Sequence, residues 1–160
     1  NIRFLEMDLN RIFIKEIVEE VDSISETDLE NEKLELKQLI TLIKDIIEKN
    51  TSQKIVLMDI HTTSALGGLF AIPSDQPESI KISKALHAPV IKGFMGGLRG
   101  TTIHYFSEYK LLNSKEVTAL VFEAGQHEDP LSINRSIAAM INCMRTIGCV
   151  DSKDVENLQI

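Results

Sequence analysis

Two apolar, β-branched runs, each closed by a polar segment, constrain this chain more than any other feature. Lys54-Ile55-Val56-Leu57-Met58 leads into Asp59-Ile60-His61-Thr62-Thr63-Ser64, and Val117-Thr118-Ala119-Leu120-Val121 leads into Phe122-Glu123-Ala124-Gly125-Gln126. Runs of this kind, ended by polar residues and glycine, read as buried strands of an α/β sheet. A His and a Glu then sit just past the carboxyl ends of two strands, the edge of an open sheet where ligands bind.

The rest of the pattern agrees with that class. Leu36, Leu39, Ile40, Ile43, Ile46 and Ile47 recur at three- and four-residue spacing, which predicts a helix over 31–50 with Lys37, Lys44 and Glu48 left to water. A shorter helix is expected over 14–22. Strands are expected over 54–60, 69–72, 89–94 and 117–122, and a helix over 76–86. Asp129 before Pro130 reads as an N-cap with proline at the first helical position, opening a helix whose core face is Ile133, Ile137, Met140, Ile141 and Met144. Strands alternating with helices predict one three-layer α/β domain with a mixed, largely parallel sheet flanked by helices.

Charge narrows the partners. A net charge of −7 disfavours a general nucleic-acid-binding role. The charge is uneven, however: 16–35 is densely acidic, while 81–115 leans basic around Lys92, Arg99 and Lys110. Such a distribution favours a small anionic ligand. No stretch has the length of a membrane span and no secretory signal is visible, so no membrane partner is expected. Cys143 and Cys149 do not have the spacing of a metal motif, and read as reduced thiols of a cytoplasmic protein. The chain opens without an initiator Met inside a patterned segment, which suggests part of a longer one.

Three segments carry chemistry. In Asp8-Leu9-Asn10-Arg11 an amide and a guanidinium stand side by side, and a guanidinium fork grips a carboxylate in two-pronged fashion, with Arg3 as a second positive charge. The alternative is a surface turn in which Asp8 caps the next helix and Arg11 is solvated. His61 is a candidate zinc ligand with Asp59 as a supporting acceptor, or else a histidine bonded within a loop. Glu123, at the end of an apolar strand, would be partly desolvated and raised toward the range useful for proton transfer. Its alternative is a carboxylate held by Lys115 or Arg99. His104 and Glu108 have helical i, i+4 spacing and His127 is a further candidate, but no trio of ligands is evident.

Taken together, Arg3 with Asp8-Leu9-Asn10-Arg11-Ile12-Phe13, then Asp59-Ile60-His61-Thr62-Thr63-Ser64, then Glu123-Ala124-Gly125-Gln126-His127 resemble the succinylglutamate desuccinylase/aspartoacylase family, which is related to zinc carboxypeptidases. The resemblance implies a zinc carboxypeptidase-like fold, incomplete at both ends, and hydrolysis of the amide bond of an N-acyl amino acid. It implies that His61 is the third zinc ligand and Glu123 the general base. It also implies that Arg3 polarises the scissile carbonyl, and that Asn10 and Arg11 clamp the substrate carboxylate. The family takes its first two zinc ligands from a His-x-x-Glu pair upstream of the Asp-Leu-Asn-Arg segment, and carries a small β-domain after the catalytic domain. Neither occurs in these 160 residues, which alone are therefore expected to be inactive.

Two other readings stay open: a carboxypeptidase-like peptidase, and a metal-free module that keeps the anion clamp. The partner expected is a small N-acyl amino acid, and a homo-oligomer is compatible with it. The hydrolase reading expects His61 and Glu123 to border one pocket within reach of Arg11.

Overall fold

The structure is a computed structural model that describes residues 4–64, 67–108, 111–112 and 115–160. Among them are five α-helices, α1 (Lys15–Ser23), α2 (Asn31–Lys49), α3 (Pro77–Ala85), α4 (Thr102–Glu108) and α5 (Ser132–Thr146). The strands are β1 (Lys54–Thr63), β2 (Leu69–Pro73), β3 (Leu111–Leu112) and β4 (Lys115–Gln126), and the class is α/β. The chain divides into two units, Asn1–Ile55 with Gly96–Val117, and Val56–Met95 with Thr118–Ile160.

In the first unit α1 packs on α2, burying Val18 and Val21 of the one and Leu36, Ile40 and Ile47 of the other. The apolar stripe of α2 is narrower than expected, because Ile46 is exposed. Nor is Lys37 left to water. Its Nζ donates to the carbonyls of Val21 (3.0 Å), Asp22 (3.3 Å) and Ile24. Those carbonyls lie at the end of α1, where helical bonding leaves oxygens without partners and the helix dipole favours a cation.

Lys115 does the same for α2. Its buried ammonium donates to the carbonyls of Ile47 (2.5 Å), Glu48 (3.1 Å) and Asn50. Lys115→Ala removes a charged donor from three carbonyls at once and is expected to cost about 2–3 kcal/mol. A urea titration of the variant against the wild type measures it.

Glu32, at the start of α2, is largely buried and accepts from the backbone N–H of Leu5 (2.5 Å), Glu6 (3.2 Å) and Met7 (3.4 Å). The Leu5 bond above all holds its acidity below the usual carboxylate range, against an opposing push from burial. A lowered folded value means that the contribution is present above the unfolded value and is lost as pH falls through the folded one. Glu32→Gln should therefore flatten the loss of stability on acidification, read as the urea midpoint against pH.

In the second unit the sheet runs in the order β1-β4-β2. β2 pairs antiparallel with β4 from Leu69↔Ala124 to Pro73↔Leu120. β1 and β4 are parallel: the N–H of His127, just past β4, donates to the carbonyl of Thr63, the last residue of β1 (2.9 Å). The sheet is thus mixed, but less parallel than expected. The segment 89–94 is not a full strand, since only Val90 forms a bridge, parallel to Ala71. The helix α4 and the short β3 were not anticipated.

One core cluster gathers Ala71, Ile82, Leu86, Leu120, Phe122, Ala124, Ala139 and Cys143, with Val56 and Met58 against it. α5 reverses the expected face. It buries Ala138, Ala139, Asn142 and Cys143, while Ile133, Ile137, Met140 and Met144 stand exposed. Two stripes at helical spacing compete on this helix, and the small side chains let it approach the sheet more closely. Its start also differs. Leu131 is the N-cap, and Asp129 instead accepts from the N–H of Leu131 (2.9 Å) in the preceding turn. The tail closes on the same helix, where the Asn142 amide donates to the carbonyl of Leu158 (2.7 Å) and accepts from its N–H (2.9 Å).

Candidate functional site

β1 extends beyond the expected end at Ile60, because the β-branched Thr62 and Thr63 continue the extended backbone. β4 likewise runs through Gln126. His61 and Glu123 therefore lie inside the last turns of two strands and not past their ends. Side chains alternate across a strand. Val56 and Met58 of β1 and Leu120, Phe122 and Ala124 of β4 belong to the core cluster, so Asp59, His61 and Glu123 occupy the opposite face of two neighbouring parallel strands.

On that face the Nε2 of His61 lies 2.9 Å from Oδ1 of Asp59, with both side chains about one-third or less exposed. The Glu123 carboxylate is half-buried, and its Oε2 is shielded from water and accepts no hydrogen bond. Burial pushes its acidity up from the ordinary carboxylate value; His61 and His127 pull it part of the way back, and Asp59 adds to the rise. The alternative of a carboxylate neutralised by Lys115 or Arg99 does not hold. Lys115 is committed to the end of α2, and Arg99 forms no ion pair among the described residues.

His127, in the sequence a further candidate ligand without a partner, is tied to the end of β1. Its Nδ1 shares a hydrogen bond with the Thr62 hydroxyl (2.8 Å) and its N–H holds Thr63, so two bonds pin it to the end of β1. The signal was present as a histidine four residues after Glu123, but nothing in the spacing joined it to β1.

Gly125 shapes this end of β4. Two bonds from β4 N–H groups to β1 carbonyls, Glu116 to Gln53 and His127 to Thr63, differ by one residue in sequence separation. An extra residue therefore lies in β4 between them, a bulge. Gly125, at φ +110°, is the one glycine of that strand, and a Cβ there would lie 2.8 Å from Nη1 of Arg135. That guanidinium pairs with Asp129 at 2.5 Å and reaches the Ala124 carbonyl at 3.4 Å.

Asn10 and Arg11 belong to the other unit. They sit in a 3-10 turn over Leu9–Arg11, in which Asp8 accepts from the Asn10 N–H (3.0 Å). Arg11 is exposed and its Nη1 donates to the Asn10 carbonyl (2.7 Å). Arg3 lies outside the described residues. His104 approaches Glu108 at 3.9 Å on α4, and His87 bonds Asn157 (2.8 Å) near the tail. Cys143 and Cys149 are both free, and burial pushes the Cys143 thiol up to about 11.

No family model, no curated protein and no solved structure matches this chain. The resemblance drawn from its motifs therefore stands on those residues alone. An imidazole oriented by a carboxylate is the arrangement found around metal-ligating histidines. Yet no group of three or more His, Cys, Asp or Glu side chains among the described residues is placed to hold a metal ion. These residues fit zinc as one ligand with its supporting carboxylate, and not as a complete site. No helix is long and apolar enough to cross a membrane among the described residues.

Proposed function

We propose that this chain carries the general base and one metal ligand of a zinc-dependent hydrolase that cleaves the amide bond of N-acyl amino acids. The observation that supports it is the half-buried Glu123 carboxylate, with an unpaired oxygen, on the same sheet face as the Asp59–His61 pair. Under this reading His61 holds zinc together with ligands from outside these 160 residues. Zinc bound there supplies Lewis acidity and lowers the pKa of a water to about 7.

The chain's own residues do the remainder. Glu123, raised by burial, takes the proton of the attacking water and returns it to the leaving amine. Asp59 fixes the His61 ring, and His127 holds the end of β1 beside Glu123. The resemblance assigns the substrate carboxylate to Arg11 and Asn10, and the charge that develops on the scissile carbonyl oxygen to Arg3.

A panel of N-acetyl and N-succinyl amino acids against short peptides, assayed with the full-length protein, tests the reading. Release of free amino acid from the acyl compounds, abolished by a chelator and restored by zinc, is the expected result. Cleavage of the peptides alone would favour the carboxypeptidase-like reading. No hydrolysis of either, in a protein that binds no zinc, would leave the metal-free anion-binding module.

A further inference from the structure

The way α5 ends brings the two cysteines of this chain together. Past the C-cap Ile147, Gly148 takes a left-handed backbone at φ +78°. The N–H of Cys149 then donates back to the carbonyl of Met144 (2.8 Å), and that of Gly148 to the carbonyl of Arg145 (3.2 Å). These two reversed bonds make a Schellman turn, which folds the second residue past the cap back over the last turn of the helix. Its side chain meets the one three or four places before the cap, here Met144 or Cys143. Met144 stands exposed on the outer side of α5, whereas Cys143 interacts directly with Cys149, whose charge opposes its ionisation.

The two thiols live in opposite surroundings. Cys143 is buried in the core cluster with Ala139 and Phe122, and burial above all pushes its thiol up to about 11. It is therefore held in the thiol form, and the thiolate is the nucleophile in disulfide exchange. Cys149 is free and exposed. A dissolved disulfide reaches Cys149 first, and Cys143 meets it only through Cys149. An exposed thiol that attacks and a covered one that resolves is the division of labour that a two-cysteine redox site needs.

We propose that Cys149 and Cys143 form a reversible redox site at the end of α5, which a small disulfide such as glutathione disulfide closes to an intramolecular disulfide. The Cys149 thiolate attacks one sulfur of glutathione disulfide, forming a mixed disulfide and expelling one glutathione thiolate. Cys143 then gives up its proton and attacks the Cys149 sulfur, and the second glutathione thiolate leaves. The two protons end on the two glutathione thiols, so the cysteines are oxidised, glutathione disulfide is reduced, and no other oxidant is needed. Capping Cys149 also removes the charge that opposed ionisation of Cys143, so the first step eases the second. Neither step draws on zinc, Glu123 or the hydrolase reading.

A time course with glutathione disulfide at mildly alkaline pH, on the full-length protein, tests it. Remaining thiols are capped with N-ethylmaleimide, and tryptic peptides are weighed without reduction. Trypsin cuts after Arg135, Arg145 and Lys153, so the disulfide joins peptide 136–145 to peptide 146–153. Glutathione should appear on Cys149 first and give way to the joined pair in monomeric protein, and dithiothreitol should release it. In Cys143→Ala glutathione should stay on Cys149. In Cys149→Ser, a change at an exposed position, Cys143 should react with glutathione disulfide at least about tenfold more slowly than Cys149 does in the wild type. The wild-type time course decides the matter even if the core variant fails to fold. The proposal is overturned if glutathione persists on Cys149 without yielding the joined pair, if Cys143 is modified first, if the pair joins only between two protein molecules, or if neither thiol reacts.

Discussion

Glu123→Gln should lower turnover of N-acyl amino acids by roughly 10²–10⁴-fold, the range that loss of a positioned general base produces. The amide keeps the size of the carboxylate but cannot take a proton from water. Wild-type kcat/KM should rise with pH along an acidic limb displaced upward from the ordinary carboxylate range, because burial disfavours the charged form that the reaction needs. The same substitution should have the opposite sign on stability. A carboxyl group whose folded pKa lies above its unfolded value costs stability as pH rises from the unfolded value through the folded one. Removing the charge should therefore stabilise the protein at neutral and alkaline pH. Urea titrations below and above that window measure it. Loss of activity together with gained stability marks a residue kept for chemistry, since a structural carboxylate would lose both.

Gly125→Ala should destabilise the protein by about 3 kcal/mol. Two costs act together: a φ of +110° is strained for any residue with a Cβ, and the new methyl group would meet the Arg135 guanidinium at 2.8 Å. Arg135 cannot yield without loosening its bonds to Asp129 and Ala124, which hold the turn between β4 and α5. Thermal unfolding reads the loss. The damage should spread to the site, since the bulge sets how His127 meets Thr62 and Thr63.

That His61 and Glu123 lie near the carboxyl ends of two strands was legible in the apolar runs before them, but the runs are continuous rather than alternating, so the extent of each strand and the face shared by Asp59, His61 and Glu123 were not. The α/β class and the long α2 followed from the hydrophobic patterning. What could not be read depended on non-local fit. The outward face of α5 carries the larger apolar residues, and only the closeness of the sheet explains why Ala139 and Cys143 were buried in their place. Asp129 before Pro130 has the pattern of an N-cap, yet its carboxylate is drawn to Arg135, six residues on. Lys37 looks like a solvated charge and Lys115 like a partner for Glu123 until the ends of α1 and α2 are seen to need donors. The extra residue in β4 leaves no mark in the sequence beyond the glycine at 125, and the seating of His127 depends on the register of another strand.

In the proposed hydrolase His61 holds the metal while Glu123, beside it, does the proton transfer. Zinc content of the purified full-length protein, measured in parallel for the wild type, His61→Ala and Glu123→Gln, tests that division most directly. The wild type and Glu123→Gln should carry the same stoichiometric zinc, and His61→Ala should lose it. Zinc retained at the wild-type level by His61→Ala would contradict the assignment.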